Sequence, residues 1–192
     1  MADAGRVIAG SARGIRLVAP GVGTRPFGDR VKQTLFAILE PDLPGARVLD
    51  LFAGSGAGGI EALSRGAASA VFVERDPAAV AVIGVNLRAA GLAGPVAIMV
   101  RADAAGYLAR PAGDGPPFDI VLVDPPYADT DLRDRVLKVL GAPGAPLAPA
   151  ARVVAKHFWR DRPAARIGWL ASERERRFGE TALTFYRRQE DG

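Results

Sequence analysis

Five short runs of β-branched and apolar residues recur along the chain: "RVLDLF" (47–52), "AVFVE" (70–74), "PVAIMV" (95–100), "FDIVLVD" (118–124) and "RVVAKHF" (152–158). Each has the length and near-continuous apolar character of a buried strand. Between them the apolar period lengthens to that of a helix, over about 58–65, 77–91, 103–110 and 129–140. In the second of these, Val80, Ile83, Leu87 and Ala90 fall at helical spacing. Asp76-Pro77 supplies an N-cap and a proline at the first helical position, and Gly91 ends the helix. Strands alternating with helices predict an α/β fold, with a mostly parallel sheet covered on both faces.

The two ends depart from this rhythm. "RVIAGSARGIRLVAP" predicts a small hairpin, with Val7 and Ile8 facing Ile15, Leu17 and Val18 across a turn. A helix follows Asp29, its apolar face built from Val31, Leu35, Ile38 and Leu39. Residues 1–45 are thus expected to form a hairpin-and-helix extension, and 46–192 the main domain. At the far end "ARIGWLAS" and "TALTFYRR" flank the polar "ERERRFGE" (173–180), which predicts an antiparallel hairpin with a charged turn.

The connection after the first core strand changes the picture from fold to chemistry. "VLDLFAGSGAGGIEAL" places Gly54, Gly56 and Gly59 in a G-x-G-x-x-G pattern, with Glu74 twenty residues after Gly54. Such a loop turns tightly, brings backbone N–H groups close to a ligand and presents an acid to ribose hydroxyls. A nicotinamide dinucleotide and S-adenosylmethionine (AdoMet) can both use these parts. Asp50, four residues before Gly54, favours AdoMet: it would repel a pyrophosphate and attract an amino-acid ammonium. Asp103, in "RADA", can accept from an adenine amino group.

A second motif closes the fourth strand: Asp124-Pro125-Pro126-Tyr127. The prolines fix φ, remove two donors and hold the chain extended. An aromatic exocyclic amine is a poor nucleophile because its lone pair is delocalised. Asp124 and the carbonyl of Pro125 can each accept one of its N–H groups, which favours a tetrahedral nitrogen, and Tyr127 can stack on the base. Hydride transfer has no use for such a group.

Composition prunes the alternatives. The chain has no cysteine, so disulfides, Cys-ligated zinc, iron–sulfur clusters and thiolate nucleophiles are excluded, and with them covalent methylation at a pyrimidine C5. No metal is expected. Apolar runs are strand-sized and the N-terminus lacks a signal-peptide core, so a cytoplasmic protein without membrane attachment is expected. Charge is uneven: residues 1–40 carry six Lys/Arg against three Asp/Glu, 151–192 ten against six, and 41–150 nine against twelve. Basic ends around an acidic middle suit a polyanion partner. The candidates for contact with such a polyanion's backbone are Arg6, Arg13, Arg16, Arg25, Arg30 and Lys32, whereas Arg174, Arg176 and Arg177 interleave with glutamates and are expected in a solvated turn.

The segments "RVIAGSARGIRL", "TRPFGDRVKQTLF", "LDLFAGSGAGGIEALSRGA", "FVERD", "DIVLVDPPY" and "GETALTFY" together resemble the bacterial 16S rRNA (guanine-N2)-methyltransferases of the RsmD type over nearly the whole length. The resemblance implies a Rossmann-like class I AdoMet-dependent fold, seven-stranded with an antiparallel C-terminal hairpin, acting as a monomer on 16S rRNA or the small ribosomal subunit. It implies cofactor contacts from Asp50, Phe52, Gly54, Ser55, Gly56, Glu74, Arg75, Asp103 and Ala104, and a reacting site at Asp124, Pro125, Pro126 and Tyr127. It also implies that RNA is the polyanion the basic N-terminal residues would contact. The chain departs from the family at Phe27-Gly28, where two threonines are common, and at "AKHFW" (155–159), a strand that more often ends in an acid. His157, the sole histidine, is expected to be structural or peripheral. Adenine-N6 methylation of DNA, glutamine-N5 methylation of protein and a non-catalytic RNA-binding assembly role remain open.

Overall fold

A computed structural model describes residues 2–21, 28–110, 115–126 and 129–189. Tyr127, Arg25 and Phe27 lie outside the described residues.

The five expected core strands all form: β3 (Arg47–Asp50), β4 (Ser69–Glu74), β5 (Ala97–Arg101), β6 (Phe118–Val123) and β7 (Leu147–Phe158). They alternate with α2 (Ala57–Ser64), α3 (Pro77–Ala89), α4 (Ala104–Leu108) and α5 (Thr130–Leu140). Three C-terminal strands, β8 (Arg166–Ile167), β9 (Leu170–Phe178) and β10 (Thr181–Arg188), complete an eight-stranded sheet of order β5-β4-β3-β6-β7-β10-β9-β8. The first five are parallel and the last three antiparallel. The eighth strand is only two residues long, so the expected seven-stranded sheet is extended by one short edge piece.

Strand alternation divides the core into two layers. Val48, Phe72, Ile120, Leu122 and Val154 face α1 (Asp29–Leu39), α2 and α3. Leu49, Val71, Val73, Val121, Val123 and Val153 face α4 and α5. Because side chains alternate along each strand, Asp50, Asp124 and Lys156 continue the first of these faces. The edge strand β5 is the exception to buried-strand character: Ile98 and Met99 are exposed, since among the described residues this strand has a neighbouring strand on one side only.

The N-terminal hairpin, β1 (Ala2–Arg6) and β2 (Arg16–Ala19), packs into the first layer, where Ala4, Val7, Leu17 and Ala19 are buried with Ile60 and Leu87. Polar side chains of the main domain fix it. The Glu61 carboxylate on α2 accepts from the N–H groups of Ile8 (2.8 Å) and Ala9 (3.1 Å). Ser64 accepts from Ala12 N–H (2.9 Å) and donates to the Ala9 carbonyl (2.6 Å). On α3, Asn86 accepts from Val18 N–H and donates to its carbonyl, both at 2.9 Å.

Two expectations are corrected here. Lys32 is no surface contact for RNA: its side chain is 0% exposed, donates to the Arg6 carbonyl and lies 4.0 Å from Glu61. The apolar face of α1 is Lys32, Leu35, Phe36 and Leu39, with Val31 and Ile38 at its margins. The stretch 173–180 is mostly strand rather than turn. Glu173 to Phe178 continue β9, where Glu173 pairs across strands with Arg152 of β7 and Arg187 of β10, and Glu175 pairs with Arg162 of the loop after β7. The turn itself is Gly179-Glu180.

Candidate active site

Strand order reverses between β3 and β6, and the crevice beyond their carboxyl ends is where such sheets bind ligands. A cavity of about 500 Å3 opens there. Its wall contains Asp50, Phe52, Gly54, Ser55, Glu74, Arg75, Asp103, Ala104, Asp124, Pro125 and Pro126, so the structure brings together nearly all the residues singled out in the sequence. Gly56 is not on the wall; it is the N-cap of α2, with a left-handed φ of +80° that glycine adopts without strain.

Each acid is held by the element that presents it. Asp50 ends β3, and its carboxylate accepts from Gly59 N–H at 3.1 Å, at the start of α2. Glu74 ends β4 and bridges two backbone turns, accepting from Gly54 N–H and Asp76 N–H, both at 2.9 Å. Asp103 caps α4 through Gly106 N–H at 2.8 Å and forms part of the cavity wall. Asp124 follows β6, and the chain turns at once into α5, with Asp129 donating to the Pro126 carbonyl and capping Leu132.

These acids sit close enough to feel one another. Burial, above all, pushes the Asp50 carboxyl up from an ordinary 3.8 to about 7; the negative charges of Asp124 and Glu74 add to this, and N–H groups of Gly59 and Phe52 oppose it. Burial also raises Asp124, against the pull of Lys156. A carboxyl raised in this way keeps its proton in the folded protein where the unfolded chain has already lost it. Its contribution to stability is therefore full below about 4 and is lost as pH rises through about 7. Asp50→Asn, which cannot ionise, should show a smaller fall in urea midpoint than the parent between about pH 4 and 7; equal falls would place the lost stability elsewhere.

Sequence reasoning missed three contributors. Lys156, on β7, puts its ammonium 2.9 Å from both Asp124 oxygens. Asn86 donates to the Ser55 carbonyl at 2.8 Å and so ties the glycine loop to the hairpin. Ala4, Ala19 and Pro20 of the hairpin form part of the cavity wall. A departure from the acid expected after β7 was the one visible signal of Lys156; nothing local to "IGVNLRA" (83–89) marks Asn86. His157 faces away from the cavity, buried, with Nε2 2.9 Å from Thr184 Oγ1 and Nδ1 2.8 Å from the Phe158 carbonyl, as a structural role requires. Arg6, Arg13, Arg16 and Arg30 are exposed on the hairpin and the start of α1. Among the described residues no helix is long and apolar enough to cross a membrane.

Comparison with known proteins gives a consistent result. The family model of conserved hypothetical protein 95 matches residues 5–187. Ribosomal RNA small subunit methyltransferase D of Escherichia coli K12 is 37% identical over 188 residues, 97% of this chain and 91% of the relative. The solved structure of Escherichia coli yhhF, provisionally described as a methyltransferase, is 36% identical and covers 96% of this chain and 97% of its own, with a TM-score of 0.82. An RNA methyltransferase of Salinibacter ruber, solved with S-adenosyl-L-homocysteine, shares the fold at 18% identity and a TM-score of 0.65, over 87% of this chain and 95% of its own.

Proposed function

The chain belongs to the conserved hypothetical protein 95 family, and from that premise we propose that it is an AdoMet-dependent methyltransferase of small-subunit rRNA that methylates the exocyclic N2 of one guanine. The observation that carries the reading is the meeting, in one cavity, of the glycine loop and its acids with Asp124-Pro125-Pro126. The cavity is within the usual range for a ligand of this size. The glycines also fit the cofactor: a Cβ on Gly58 would come 2.8 Å from Asp50 Oδ2, so its absence keeps that carboxylate clear for an ammonium. Asp50 would hold the amino-acid end, Glu74 the ribose hydroxyls and Asp103 the adenine amino group, with Phe52, Arg75 and Ala104 flanking them.

Bound AdoMet supplies a methyl group on a sulfonium, which needs no metal and no covalent enzyme intermediate. The chain's own task is to aim the amine. Asp124 and the Pro125 carbonyl accept its two N–H groups, Tyr127 stacks on the base, and the nitrogen's lone pair is left directed along one line of attack. As the new N–C bond forms and the C–S bond breaks, the nitrogen becomes acidic and its proton leaves to Asp124 or to water. Arg6, Arg13, Arg16 and Arg30, with Arg25, grip RNA phosphates, in keeping with the polyanion-facing charge of this arm. The protein acts as a monomer.

Incubation with methyl-labelled AdoMet and small-subunit rRNA, followed by digestion to nucleosides, is expected to yield N2-methylguanosine. Label recovered in adenosine, in DNA or in protein would overturn the assignment. Glu74→Ala should weaken AdoMet binding by roughly 1–3 kcal/mol, the worth of hydrogen bonds to a charged acceptor. Calorimetry that returned parental affinity would remove Glu74 from the ribose site.

A further inference from the structure

Lys156 occupies a position that neither the glycine loop nor the proline motif requires. Val123 of β6 is paired in register with Ala155 of β7, so the next residues, Asp124 and Lys156, stand side by side on the same face of the sheet. The lysine ammonium lies 2.9 Å from Oδ1 and 2.9 Å from Oδ2 of Asp124. Lysine and aspartate side chains are 8% and 16% exposed, and both contribute to the cavity wall. Burying a lysine to this degree is strongly unfavourable unless a partner offsets it. A lysine placed merely to fill β7 would not have to end on both oxygens of the acid that faces the ligand.

We propose that Lys156 is a positioning residue for methyl transfer: by holding both oxygens of Asp124 it fixes the plane of the carboxylate and keeps it an acceptor for the target amine. The proposal rests on the reading of Asp124 given above. A carboxylate offers about four lone-pair sites; Lys156 engages one on each oxygen, and the others remain for the amine. Rotation of Asp124 about its side-chain bonds would break one of the two contacts, so the acceptor is held in one orientation before substrate arrives.

Charge supports the same role. Asp124 is faced by Asp50 from β3, with Glu74 beyond it on β4, by Asp129 at the start of α5 and by Lys156 from β7. Burial raises the Asp124 carboxyl and Lys156 is the opposing influence. Without the lysine, burial would be left unopposed and would favour a protonated Asp124. A protonated carboxyl has a hydrogen where the amine must donate, and accepts poorly.

Lys156→Met is therefore compared with the parent in single-turnover methyl transfer from about pH 6 to 9, with calorimetry of AdoMet binding alongside. The rate constant should fall about 10–100-fold near neutral pH and recover as pH rises, while AdoMet affinity stays within about threefold. Lys156→Arg, whose guanidinium can also bridge a carboxylate, should restore the low-pH limb. A Met variant whose profile keeps the parental shape, whatever its height, overturns the proposal. Should Lys156→Met fail to fold, Lys156→Gln serves in its place. Carbon-13 NMR of the Asp124 carboxyl in the cofactor-free protein gives an independent readout. An upward move of its pKa in the Met or Gln variant supports the proposal, and an unmoved pKa overturns it. If the parent enzyme puts no methyl on a guanine amine, the functional reading fails while this titration still decides whether Lys156 governs Asp124.

Discussion

Asp124→Asn is expected to leave a folded protein that binds AdoMet within about threefold of the parent and transfers methyl about 100- to 10,000-fold more slowly, the range typical of losing one well-placed polar group at a reacting centre. Asparagine keeps the shape of the side chain and can still accept from Lys156, which lies 2.9 Å from both carboxylate oxygens. What it loses is negative charge and one acceptor oxygen, so the target nitrogen is held less well and its departing proton has a poorer destination. Alanine would confuse the result by stranding a buried ammonium. Labelled-methyl transfer under single-turnover conditions measures the chemical step, and calorimetry measures the cofactor. Equal losses in both would mean that Asp124 belongs to the cofactor cradle and not to the amine.

Glu61→Ala is expected to be the most destabilising single change outside the sheet, costing about 3–5 kcal/mol, as when one partner of a buried pair is removed. Glu61 is fully buried and takes bonds from Ile8, Ala9 and Arg65, with Lys32 4.0 Å away and equally buried. Burial already lowers the lysine's pKa against the pull of Glu61, so removing the glutamate leaves that cation with little to hold it. Urea unfolding followed by fluorescence gives the comparison. The double change Glu61→Leu with Lys32→Met, which removes both charges and restores apolar volume, should recover most of the loss. A cost below about 1 kcal/mol for Glu61→Ala would show that water reaches Lys32 and that the pair does not seat the hairpin.

Much of this was legible because burial writes a period into the chain. Val71 and Val73 alternate with Ala70 and Phe72 between two apolar layers, so β4 reads as a continuous apolar run. Asp76-Pro77 starts α3 as its chemistry requires, the aspartate accepting from Ala78 N–H at 2.8 Å. Where reading failed, the cause was a charged residue in an apolar role or the reverse. Lys32 stands three and four residues before Leu35 and Phe36, and that spacing marks it as part of the buried face. Its charge alone sent it to the surface list. The second half of β9, from Glu173 on, gave no apolar signal because it lies near the sheet's far margin and carries glutamates paired with Arg152, Arg162 and Arg187. The departure at 155–159 marked the strand that carries Lys156, but its pairing with Asp124, thirty-two residues away in the chain, needed the register of β6 on β7.

The clasp between the hairpin and the helices has a consequence for how this protein can change over time. Glu61, Ser64 and Asn86 bind the hairpin almost wholly through its main-chain N–H and carbonyl groups, which every amino acid except proline offers alike. A socket that grips main chain is indifferent to the side chains projecting from the other side. The outward residues of the arm are therefore free to be exchanged while its seat beside the cofactor loop stays fixed. Position 10 is the tightest exception, since a Cβ there would fall 1.8 Å from the Ser64 carbonyl oxygen, and Gly5 and Gly14 also hold left-handed φ values of +84° and +86°. Grafting a foreign hairpin onto this chain should succeed when those glycines are kept and the length of the turn is unchanged.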